Sequence, residues 1–187
     1  MTWWYMQLAY RILVASLAVV GSVSLLASGE LHPLFVFPGL AMIPGYYRYI
    51  KGYEPVNRWL IAGLALVELG VVAFDSLMVS GDFFIAVAHM TIVFQALKSF
   101  DMREAWDPLQ VYFMSMLQLV MASELTLSVA MGGVFVVFLF IFMAALVFSH
   151  FMKEGTLDKV SFRVPLITVS IVALLATMLF FISIPRV

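Results

Sequence analysis

NRWLIAGLALVELGVVAFDSLMVSGDFFIAVAHMTIVFQALKSF, residues 57–100, contains two runs of predominantly apolar residues divided by the triplet Ser80-Gly81-Asp82. At ~1.5 Å of rise per residue, a run of about 20 residues crosses the ~30 Å hydrocarbon layer of a bilayer as a helix. The stretch therefore predicts a helical hairpin inside a membrane. Working outward and cutting at the polar clusters gives seven candidate spans, roughly residues 5–28, 33–50, 57–79, 82–100, 108–125, 127–150 and 164–185. The whole chain agrees, since 64% of its 187 residues are hydrophobic and 11% are charged, against about 45–50% and about 25% in soluble domains. The mean hydropathy is +1.08. The expected fold class is all-α, a polytopic membrane helix bundle of about seven transmembrane helices forming a single integral-membrane domain over residues 1–187.

Basic residues orient the bundle. Arg48, Lys51 and Arg58 flank the second loop, Lys98 and Arg103 the fourth, and Lys153, Lys159 and Arg163 the sixth, whereas the first, third and fifth loops contain no Lys or Arg. The positive-inside rule then places the even loops and the N-terminus inside, and seven crossings bring the C-terminus outside. All four Trp and all seven Tyr fall toward the inner ends. An alternative for the first segment is a signal peptide, with residues 12–26 as its apolar region and Ala27-Ser28-Gly29 near a cleavage site, although Arg11 is the only basic residue ahead of that run.

A formal charge of −1 offers no basic surface for nucleic-acid phosphates, so nucleic-acid binding is excluded. The absence of cysteine removes thiolate ligands and a cysteine nucleophile. His32, His89 and His150 lie at different depths and share no zinc motif, so neither a metal nor a cofactor is expected. In the second span, Pro33, Pro38-Gly39 and Pro44-Gly45 predict a kink, or a broken helix lining a site.

The polar residues within the spans are the candidates for chemistry. Glu68 and Asp75 are seven apart, about 20° apart around a helix and about 10 Å along it. His89 of the next span falls between them in depth. A charge at the bilayer centre costs at least ~2.5–3.5 kcal/mol, so an intramembrane acid is a functional candidate by default. The cluster Glu68, Asp75 and His89 reads either as helix glue, with Glu68 protonated or paired to His89, or as a proton or cation path. Asp82 is expected to cap the fourth span, and Asp107 to cap the fifth ahead of Pro108. Arg11 is read as an anchor that snorkels to headgroups. Gln95, Gln118 and Ser115 are read as interhelical hydrogen-bonding groups. Gly63 and Gly70 share a face that would admit another helix, and Gly132-Gly133 offer the same.

Residues 96–103, ALKSFDMR, and 107–120, DPLQVYFMSMLQLV, resemble the N-terminal membrane domain of TgpA-type transglutaminase-like proteins. There, a Leu-Lys near the end of one span leads through an acid and a base to an Asp opening the next. Lys98, Asp101, Arg103 and Asp107 match, while Trp106 stands where the family usually has another basic residue. The end Phe180-Phe181-Ile182-Ser183-Ile184-Pro185-Arg186 is similar to the family's last span, with Pro185 and Arg186 closing it. The resemblance implies a multi-pass protein of the bacterial or archaeal cytoplasmic (inner) membrane. It also implies an extracytoplasmic transglutaminase-like domain, downstream or on a separate chain, with a Cys-His-Asp site that these 187 residues lack. A MoxR-type ATPase on the cytoplasmic side is the partner it suggests, besides the lipid bilayer.

The expected function is a non-catalytic membrane anchor and interaction domain of a transglutaminase-like membrane protein. The alternative is a small proton-coupled transporter or channel using Glu68. An intramembrane hydrolase is disfavoured, because no nucleophile and base form a recognisable constellation.

Overall fold

The computed structural model describes residues 3–126, 128–154 and 171. Every element among them is helical: α1 (Trp3–Leu26), α2 (Pro33–Gly39), α3 (Met42–Lys51), α4 (Arg58–Phe74) continued by a π turn (Asp75–Val79), α5 (Phe83–Phe100), α6 (Asp107–Leu125) and α7 (Val129–Glu154). Four helices among the described residues are long and apolar enough to cross a membrane, over Trp4–Leu26, Arg58–Val79, Phe83–Phe100 and Ala130–His150.

The remaining expected spans fare differently. Residues 33–50 do not form one helix. Leu40 and Ala41 divide α2 from α3, and the backbone turns there through Leu40 N–H to Phe37 O (3.1 Å), Ala41 N–H to Pro38 O (3.1 Å) and Ile43 N–H to Leu40 O (3.1 Å). Pro44 has no N–H to give to Leu40 O, and the tighter bond from Ile43 takes its place. α6 runs for 19 residues but is less apolar, with Asp107, Gln110, Ser115, Gln118 and Glu124 along it. Of residues 164–185 Ile171 alone is described, and Pro185 and Arg186 lie outside the described residues.

Helix ends follow local chemistry. Asn57 Oδ1 accepts from Trp59 N–H at 3.0 Å to start α4, and Asp82 Oδ1 accepts from Phe84 N–H at 2.7 Å to start α5, as expected of Asp82. α3 stops at Gly52, whose φ of 75° lies in the left-handed region that a side chain disfavours.

α1 packs along α6 and α7, while α5 is the hub that receives α2, α3, α4 and α6. Val14, Leu17 and Ala18 of α1 meet Val111, Tyr112 and Leu119 of α6, with Tyr46 of α3 and Phe138 of α7 closing that core. A second cluster joins Leu25 to Ala88, Ile92, Met121 and Ala122.

Close approach occurs at glycines other than the expected ones. A Cβ on Gly21 would stand 2.9 Å from Ser115 Cα and O, one on Gly39 2.4 Å from Ile92 Cγ2, and one on Gly45 1.8 Å from Ser99 Oγ. Gly63, Gly70, Gly132 and Gly133 have no described neighbour there. No described helix is seated on these four glycines. Gly63→Ala and Gly70→Ala should each leave thermal stability unchanged or raised by up to about 1 kcal/mol, from helix propensity alone. Thermal unfolding in detergent measures this.

Candidate functional site

α4 and α5 are joined by the short turn at Ser80–Asp82, so residues at similar distances from it face one another. Asp75 lies at the start of the π turn, where Ser80 N–H bonds back five residues to Asp75 O at 2.9 Å. Ser80 Oγ is also placed to donate to Asp75 O, at 3.1 Å. Asp75 and His89 are both fully buried, at 0% exposure. Asp75 Oδ2 lies 2.6 Å from His89 Nδ1.

The ring's other nitrogen fixes the tautomer. The backbone N–H of His32, in the loop between α1 and α2, reaches His89 Nε2 at 3.0 Å. A backbone N–H can only donate, so Nε2 accepts, and Nδ1 carries the proton and donates it to Asp75. One imidazole thus ties three pieces of chain together: the end of α4, the body of α5 and the loop ahead of α2.

Glu68 is on the same face two turns earlier and is buried, at 8% exposure. Among the described residues, Glu68 Oε1 and Asp75 Oδ1 are buried without a hydrogen-bond partner. The structure therefore corrects the expected Glu68 to His89 pairing: the histidine is held by Asp75. No group of three His, Asp or Glu among the described residues is placed to hold a metal ion.

A second polar layer lies deeper in the bundle. Gln95 Nε2 donates to Tyr46 Oη at 3.1 Å and to Ser115 Oγ at 3.3 Å, and Ser22 Oγ donates to Gln118 Oε1 at 3.2 Å. These bonds link α5 to α3 and α6, and α1 to α6, in keeping with the bridging roles expected of Gln95, Ser115 and Gln118.

Four of the residues that carry the family resemblance, Lys98, Asp101, Arg103 and Asp107, meet at the opposite end. Lys98 Nζ donates to Asp107 Oδ1 at 2.5 Å. Asp107 Oδ2 accepts from the backbone N–H groups of Arg103 (2.5 Å) and Glu104 (2.6 Å). Arg103 Nε donates to Asp101 Oδ1 at 2.5 Å, and its Nη2 donates to Val56 O. Val56 N–H in turn bonds to Phe100 O at 3.0 Å. Lys98, Asp101, Arg103 and Asp107 thus form one clasp that fastens the 52–57 and 101–106 loops together.

Asp107 is not the N-cap expected of it. Trp106 takes that position, and the Asp107 carboxylate reaches back over the loop from the first turn of α6. Burial opposes its charge, but Lys98 and the N–H groups of Glu104 and Arg103 outweigh that and hold the carboxyl below its usual range.

Arg11 is also reassigned. Its Nη1 donates to Tyr49 O at 3.1 Å, and its guanidinium lies 5.4 Å from the centre of the Tyr49 ring. It caps the last turn of α3, where the helix dipole favours a cation, rather than reaching to headgroups.

Comparison with protein-family models, with curated proteins and with solved structures finds no match to this chain.

Proposed function

We propose that this chain is a non-catalytic membrane module that anchors and orients a transglutaminase-like part on the extracytoplasmic side. In this reading it belongs to the TgpA-type membrane domains and sits in the bacterial or archaeal cytoplasmic membrane with its basic end inside. The observation that carries the reading is the clasp. Lys98, Asp101, Arg103 and Asp107 satisfy one another and the loop backbone, which is what a fastening between helices requires. Such a fastening gives helices of modest length a fixed relative position, and a module that orients an attached part needs that.

A cytoplasmic partner of the MoxR ATPase type would meet the exposed rim around the clasp. Arg58 and Glu104, with side chains 73% and 63% exposed, and the exposed Trp59 and Trp106 form that rim.

A second reading, proton-coupled transport through Glu68, is favoured by the two buried carboxylate oxygens without described partners. Reconstitution in liposomes with a trapped pH-sensitive dye separates the two. The anchor reading expects proton flux no greater than in empty liposomes. A reproducible leak that disappears in Glu68→Gln, whose amide cannot carry a proton, would replace the anchor by a transporter.

A further inference from the structure

We propose that the Asp75 and His89 pair is a proton-binding site, and that a proton on His89 Nε2 releases the loop of residues 27–32 from α5. The inference depends on neither reading of the function, since a proton can be bound without being transported. It rests on three observations. His89 is fully buried, its Nδ1 lies 2.6 Å from Asp75 Oδ2, and its Nε2 accepts the His32 backbone N–H at 3.0 Å.

The proton balance is simple. A proton from outside water enters the Nε2 lone pair, and the N–H···N bond to His32 breaks because two N–H groups then face each other. The Nδ1–H bond to Asp75 remains and becomes a charge-assisted pair. The ring passes from neutral imidazole to imidazolium, so the buried pair gains one positive charge beside the Asp75 carboxyl group.

The site lies close to the chain's surface on that side. Gly29 and Glu30 are exposed, His32 is exposed, and Leu31 packs against the Leu25, Ala88 and Ile92 cluster. Gly29, with φ 79°, lets the loop leave α1 sharply.

Other titratable groups among the described residues surround α5. Glu68 comes from α4, Asp75 from the π turn and His32 from the loop itself, while Asp82 caps α5 and Glu124 of α6 is exposed. α2 contributes none. Tyr46 and Tyr49 of α3, Tyr5, Tyr10 and Arg11 of α1, and Asp107 and Tyr112 of α6 lie toward the clasp end. A π turn beginning at Asp75 is an independent sign, since such turns collect at functional positions.

The test uses the full chain reconstituted in bilayers. In ¹⁵N-histidine-labelled protein, with the His32 and His150 signals assigned by His32→Gln and His150→Gln, His89 should be the Nδ1–H tautomer while the loop is tethered and doubly protonated once acid has released it. A spin label at Glu30→Cys, in a chain with no other cysteine, should gain mobility as His89 takes up its second proton. The ratio of released to tethered loop should rise with acidity by at most about tenfold per pH unit, the limit set by one-proton linkage. Asp75→Asn, which removes the carboxylate that stabilises the imidazolium, should hold the label in its tethered state throughout. An Nε2–H tautomer in the tethered state, a ring still neutral when acid has mobilised the label, or a label whose transition is unchanged in Asp75→Asn would each overturn the proposal.

Discussion

Gly21→Ala is expected to destabilise the bundle by about 2 kcal/mol, and Gly21→Leu to keep α1 from seating on α6 at all. The reason is the nature of the atoms met. The new Cβ would stand 2.9 Å from Ser115 Cα and Ser115 O, which are backbone and cannot turn aside, and 2.9 Å from Gln118 Oε1. Alanine would gain about 0.5–1 kcal/mol in helix propensity at an ordinary site, but overpacking of this kind costs about 1–3 kcal/mol and more for larger groups. α1 and α6 would have to part, taking the Ser22 to Gln118 hydrogen bond with them. Gly45→Ala should behave differently. Its closest obstacles are Ser99 Oγ at 1.8 Å and Ser99 Cβ at 2.7 Å, both in a side chain. Ser99→Gly should therefore recover part of the loss from Gly45→Ala, whereas Ser115→Gly should recover none of the loss from Gly21→Ala, because the backbone atoms remain. Thermal unfolding of the single and double variants measures both couplings.

Asp107→Ala is expected to cost about 3 kcal/mol, the order seen when one member of a largely buried ion pair is removed. The substitution takes away the acceptor for Lys98 Nζ and for the N–H groups of Arg103 and Glu104, and leaves the ammonium beside an apolar methyl. Asp107→Asn should fall between, keeping one acceptor without the charge. The pH dependence has a definite sign. Because the native carboxyl is held below its usual range, the clasp's contribution is fully present above the ordinary Asp value of about 4 and is lost as pH falls through the lowered native value. Unfolding midpoints should drop in that acid window for the parent chain, and Asp107→Asn should lack this component of the drop.

Much of the helical layout was legible because polar clusters bound each apolar run. The ends expected at 57–79 and 82–100 lie within about two residues of α4 with its π turn and of α5. The break at Leu40–Ala41 was only half legible. Pro38 and Pro44 announced a disturbance, but whether freed carbonyls bend a helix or end it depends on the neighbours that receive them. Burial of Glu68 and Asp75 on one face followed from their spacing, yet the choice of His89 as partner to Asp75 did not. A signal was present: Asp75 lies six residues before Gly81 and His89 eight after it, and helices joined by a short turn pair residues equidistant from it. The glycines that seat described helices were not legible for a related reason. Spacing shows which glycines share a face, while only the packing shows which face meets another helix, and Gly63 and Gly70 lie where the described bundle offers none. The roles of Arg11 and Asp107 are not legible in the sequence, because their partners, Tyr49 O and the 103–104 backbone, are carbonyl and N–H groups that no side-chain pattern reports.

The account's central claim is a membrane module whose clasp end faces the cytoplasm and whose attached part lies outside. Single cysteines at Tyr53, Ala105, Glu30, Phe83 and Val187, introduced one at a time into this cysteine-free chain, allow that to be read directly with a membrane-impermeant thiol reagent on intact cells. The account predicts labelling at positions 30, 83 and 187, and labelling at 53 and 105 only after the membrane is opened. Labelling of 53 and 105 in intact cells, or protection of 187, would contradict it.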